Sequence, residues 1–102
     1  MQASAWKGGK SSASTFGIRV GMANREQFFD PSWTEIEVEI DGQFRRFALT
    51  SGFWRKCPEF RDHGTPIIRE WLRRHRTLDW PLGDPPRVEL VPLGGGRFRL
   101  MT

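Results

Sequence analysis

Only one cysteine, Cys57, occurs in the 102 residues, so an internal disulfide is excluded. With two histidines beside it, the Cys and His spacings of a zinc site cannot be assembled either. Nowhere do 18 apolar residues run together, and no apolar stretch follows Lys7 and Lys10 that could serve as the core of a signal peptide. A cytoplasmic protein with no membrane partner is therefore expected. Tyrosine is missing altogether, a gap that nothing in the pattern explains. Paired carboxylates and a nucleophile set beside a base are also wanting. This points away from an enzyme, and no catalytic residue, cofactor or metal is expected.

The chain is instead rich in large aromatics, with five Trp and eight Phe. Such side chains bring much apolar area per residue, which suits one small domain that must offset its ordering entropy with few groups. The formal charge is +4 and the sequence pI about 10.2. Residues 1 to 50 hold six Lys/Arg against six Asp/Glu, and residues 51 to 102 hold ten against six, so the whole excess lies in the second half. A basic balance of this size raises the expectation of an anionic partner without identifying one.

Residues 1–14 are rich in Ser, Gly, Ala and Lys and read as a flexible N-terminal arm whose one large apolar group is Trp6. A single domain is expected over residues 15–102. Phe16, Ile18 and Val20 alternate along a first strand, and Met22 to Phe29 fits either a short helix or an irregular loop. The clearest alternation follows, with Ile36, Val38 and Ile40 on one face and Glu35, Glu37 and Glu39 on the other. Asp41-Gly42 supplies a tight hairpin turn, and Gln43 to Thr50 returns. An even loop places Phe47 and Leu49 beside the isoleucines and sets Glu37 against Arg46.

Thr50 or Ser51 can cap a short helical segment through Phe53, Trp54 and Cys57, which Pro58 interrupts. Thr65-Pro66 predicts a restart, with Thr65 as N-cap, and an amphipathic helix to about His75. The proline-rich stretch Leu78 to Pro86 is a connector, and Arg87–Val91 with Arg97–Met101 form a second hairpin around Gly94-Gly95-Gly96. The expected class is α+β: a mainly antiparallel sheet of about five strands, open to curling into a partial barrel, on one main amphipathic helix, in the order β-β-β-α-β-β.

The outer face of that helix carries Arg69, Arg73, Arg74 and Arg76, and guanidinium groups in a row suit the phosphates of DNA or RNA. A small helix also solvates its outer face with arginine, and arginines near its C-terminus oppose the helix dipole. Arg45, Arg46, Arg97 and Arg99 add charge on strands near Phe44, as a stacking platform for a single strand requires, and Lys7 and Lys10 extend it from the arm. No ribonucleoprotein-type or helix-turn-helix motif is present. The alternative is a protein-interaction or self-associating module that uses surplus aromatic surface or a free sheet edge. Cys57 lies near Glu59, Asp62 and His63 in sequence, but flanking Trp54, Pro58 and Phe60 make a buried structural thiol the expectation. The triple glycine lacks the Lys-Ser/Thr end of a phosphate-binding loop and reads as a hairpin turn.

Overall fold

The structure, a computed structural model, describes residues 1–9 and 15–102. Its best-marked part is the hairpin of β3 (Glu35–Ile40) and β4 (Gln43–Ala48), joined by Asp41 and Gly42 at φ 50° and 83°. Two positive φ values in a two-residue loop match the right-handed twist of the flanking strands. The even loop sets Ile36 opposite Phe47 and Glu37 opposite Arg46, so Ile36, Val38, Ile40 and Phe47 share the buried face.

Five further strands complete the sheet: β1 (Gln2–Gly8), β2 (Thr15–Arg19), β5 (Glu59–Arg61), β6 (Arg87–Gly94) and β7 (Arg97–Met101). The strand order is β4-β3-β7-β6-β1-β2-β5. Here the expectation of about five antiparallel strands and one main helix is corrected. Among the described residues the sheet has seven strands and is mixed, because β3 and β7 run parallel, with Glu37 beside Arg97 and Glu39 beside Arg99. Three small helices among the described residues accompany it, in the chain order β-β-α-β-β-α-β-α-β-β.

The strands absent from that expectation have physical reasons for their silence. β1 comes from the stretch read as an arm; its inward residues are Ala3 and Ala5, buried but too small to register as an apolar stripe, and it lies between β6 and β2. Residues 10–14 of that stretch lie outside the described residues. β5 has three residues and fits against β2 only because Gly17 faces it: a Cβ on Gly17 would stand 2.4 Å from the Phe60 carbonyl oxygen. The parallel contact joins two hairpins, and alternation within a hairpin says nothing about how two of them dock.

The helices close the concave side. α1 (Met22–Phe28) buries Arg25, whose guanidinium donates at 2.9 Å to the Phe53 carbonyl in α2 (Ser51–Arg55). Thr50 caps α2, its hydroxyl accepting from the Phe53 N–H at 3.4 Å. α3 (Ile67–His75) buries Ile68, Trp71 and Leu72. Its N-terminal cap is not Thr65. The Asp62 carboxylate accepts from the Ile68 and Arg69 N–H groups at 2.7 and 3.0 Å, a cap delivered from β5 across the Gly64 turn. The sheet curls around this core until its two edge strands meet on the inside, where the rings of Phe47 in β4 and Phe60 in β5 are 5.2 Å apart. No helix among the described residues is long and apolar enough to cross a membrane.

Candidate functional site

The arginines of α3 are exposed, and three are already held by carboxylates. Glu70 lies between Arg69 and Arg73 at 2.8 Å from each, and the Arg73 guanidinium holds its carboxyl below the usual glutamate range. Asp41, at the hairpin turn, accepts from Arg74 and lies 2.9 Å from His75 Nε2; the Arg74 hydrogen bond lowers its pKa. Arg76 stands apart, past the helix end, and donates to the Arg87 carbonyl.

Strand arginines follow the same rule on the outer face of the sheet. Arg97 pairs with Glu37 at 3.2 Å and also covers the Phe44 ring, and Arg99 pairs with Glu39. Arg46 reaches Glu35 only at 3.8 Å, with 77% of its side chain exposed. Arg45 points to the opposite face of β4, beside Gln43 Oε1 at 2.8 Å. Lys7 donates to the Leu78 carbonyl at 3.1 Å and lies 4.6 Å above the Trp80 ring. Lys10 lies outside the described residues. Lys7, Arg76 and Arg87 thus gather near Trp80 without a carboxylate partner among the described residues, beside a shallow groove of about 450 Å³ that Asp79 and Asp84 also line.

A second groove follows from strand geometry. In an antiparallel pair, alternate residues direct both backbone groups at the neighbour and the others direct both away. The Leu49 N–H donates to the Thr34 carbonyl on the β3 side, whereas the Glu37 N–H donates to Gly96 on the β7 side. Counting back by twos, Phe47, Arg45 and Gln43 face β3, and Phe44, Arg46 and Ala48 direct their N–H and C=O groups outward. β4 pairs with no strand except β3 among the described residues. Just past β5 the Asp62 N–H donates to the Phe16 carbonyl in β2, which turns the backbone groups of Arg61 away from β2, toward β4.

These two edges enclose a cavity of about 510 Å³, floored by Phe47 and Ile67 and rimmed by Arg46, Arg61, Asp62 and His63. A smaller one of about 230 Å³ continues it along β4 toward the hairpin turn, between Arg45 and the first turn of α3, with Ile67 common to both. Between them the two cavities touch Gln43 and Arg45 to Ala48 of β4, and Phe44 lines neither.

Its carboxylates are engaged. Glu59 is 3% exposed and lies 3.4 Å from both Arg19 and Arg61. Asp62 caps α3, and burial outweighs its amide hydrogen bonds to raise its pKa. Arg61 also stacks on Trp6 at 4.6 Å, where the bare Gly17 lies between them. Arg61 and Ile67 carried no functional signal in the sequence; the adjacent pair Arg45-Arg46 in a strand was the available sign. Cys57 is exposed, which corrects the expectation of a buried thiol: the chain leaves α2 there on its way to Pro58, which is buried in its place. Comparison with protein families, characterised proteins and solved structures finds no match to this chain.

Proposed function

We propose that this protein is a non-enzymatic binding module that takes an extended segment of another polypeptide as an added strand along β4. One observation carries this function: Phe44, Arg46 and Ala48 direct their backbone donors and acceptors away from β3 and into no neighbouring strand among the described residues, and Arg46 and Ala48 line the larger groove. An unpaired strand edge is a template for main-chain hydrogen bonds, and the groove walls supply side-chain contacts for specificity. The test is titration of the labelled protein with the capped peptide QIQVQI, an uncharged alternating strand, followed by backbone amide NMR. Signals of Phe44, Arg46 and Ala48 are expected to shift, and Ala48→Pro, which removes one outward N–H, is expected to weaken binding. Shifts confined to other residues would count against edge addition.

Binding of DNA or RNA is supported as a second function by the cations gathered at Trp80, since among the described residues Lys7, Arg76 and Arg87 have no carboxylates like those that hold Arg69, Arg73 and Arg74. An aromatic ring among unneutralised cations suits a stacked base and its phosphate. Labelled single-stranded DNA and RNA measured across a salt series test it. Affinity should fall with salt and drop in Arg76→Glu with Arg87→Glu; undetectable binding at low ionic strength rules it out.

A further inference from the structure

We infer that the added strand is an acidic one from another chain, alternating carboxylates with apolar residues; this rests on the β4-edge function proposed above. A strand laid antiparallel to β4 turns alternate side chains to its two faces. Those opposite Phe44, Arg46 and Ala48 lie on the outer face of the sheet, and those between them turn inward. On the outer side Arg46 stands on one wall of the groove and Arg61 on the other, with exposures of 77% and 51%. The inward side meets Ile67 and Phe47.

The cations held least at the groove are Arg45 and Arg46, since Arg61 shares Glu59 with Arg19 and Arg74 is held by Asp41. Glu59, Asp62, Glu70 and Asp41 all line the groove, and each is already bound by arginine, histidine or the α3 amides. Among the described residues Arg46 has only its 3.8 Å contact with Glu35, and Arg45 only Gln43. The other side of β4 shows the complement these arginines accept. There β3 reads Glu-Ile-Glu-Val-Glu-Ile, with its glutamates outward beside Arg46, Arg97 and Arg99 and its branched residues inward. A ligand of the same alternation places a carboxylate between Arg46 and Arg61 and a branched residue over Ile67.

A second copy of β4 is a poor occupant. Symmetric antiparallel pairing through the outward residues has two registers that overlap its six residues most fully. One sets Arg46 against its own copy, and the other sets Arg45 against its own. Like charges directly opposite repel.

Three capped peptides test the inference by amide NMR: EIEVEI, which copies β3, with QIQVQI and KIKVKI. The acidic peptide should bind about tenfold more tightly than the lysine peptide, shifting Phe44, Arg46 and Ala48. Arg46→Glu should reverse the order, and its spectrum away from β4 shows whether the fold is kept. If all three peptides bind alike, edge addition stands and the acidic preference is overturned. If none shifts these amides, the β4-edge function itself fails. If the acidic preference survives both Arg46→Glu and Arg61→Glu, the groove arginines are not its source, and the inference is overturned.

Discussion

Gly17 sits where two features meet: the edge contact of β2 with β5, and the stacking on Trp6 of Arg61, which itself forms a wall of the groove. The missing side chain allows the close approach of the Phe60 carbonyl, and the same gap lets the Arg61 guanidinium pass over to Trp6. Gly17→Ala forces the backbone of β5 to shift, since carbonyl oxygen cannot yield as a flexible side-chain end can. A cost of about 1–3 kcal/mol is expected by urea denaturation, the range of overpacked sites. Trp6→Ala offers a contrast. It removes a half-exposed cation–π contact worth about 0.5–1 kcal/mol and leaves β5 in place, so it should be the milder of the two.

α3 is built to hold its charges and depends on a cap that comes from outside it. Asp62→Ala removes the acceptor for two N–H groups and should cost about 1 kcal/mol, typical of a lost N-cap. The pH dependence has a definite sign. Burial raises the Asp62 pKa in the folded protein, so folding binds its proton more tightly than the unfolded chain does. That contribution is fully present below the unfolded value and is lost as pH rises through the folded one. The advantage of the parent protein over Asp62→Ala should therefore be larger in acid and shrink toward neutrality, as urea titrations at several pH values will show. Asp41 and Glu70 have lowered values and the opposite sign, losing their contributions as pH falls. Asp41 is exposed and Glu70 half-buried at the surface, so salt should diminish their share. In the sequence the amphipathic run from Ile67 to His75 was legible, because its apolar spacing is a property of the helix itself. Its cap was not: Thr65 had the right chemistry next to the helix, whereas Asp62 acts through a turn that only the fold creates. The hairpin of β3 and β4 could be read to the residue because one turn dictates its register. β1 could not, since Ala3 and Ala5 owe their burial to neighbours far along the chain.

The curled sheet brings its edge strands β4 and β5 together without joining them, and this sets how the molecule meets other chains. A free edge invites pairing with any copy of itself, and β4 carries two adjacent arginines where such pairing would begin. The charge excess of the second half looked, in sequence, like a single basic helix. Folding distributes the charge differently: Glu70 and the first half's Asp41 neutralise most of α3, and the first half's own Arg45 and Arg46 are left weakly held beside the groove. Those two residues thus have two effects with one cause: they repel a second β4 and attract an acidic strand. Sedimentation velocity separates these effects from any role in folding. The parent protein should sediment as a monomer independent of concentration. Arg45→Thr with Arg46→Val keeps high strand propensity and removes the repulsion, so this variant should associate as concentration rises. Both positions are exposed, and each substitution should change unfolding free energy by no more than about 0.5 kcal/mol. The same variant should lose its preference for EIEVEI over KIKVKI. Self-association with that preference intact would divide the two effects between different residues and place the acidic selectivity on Arg61 alone.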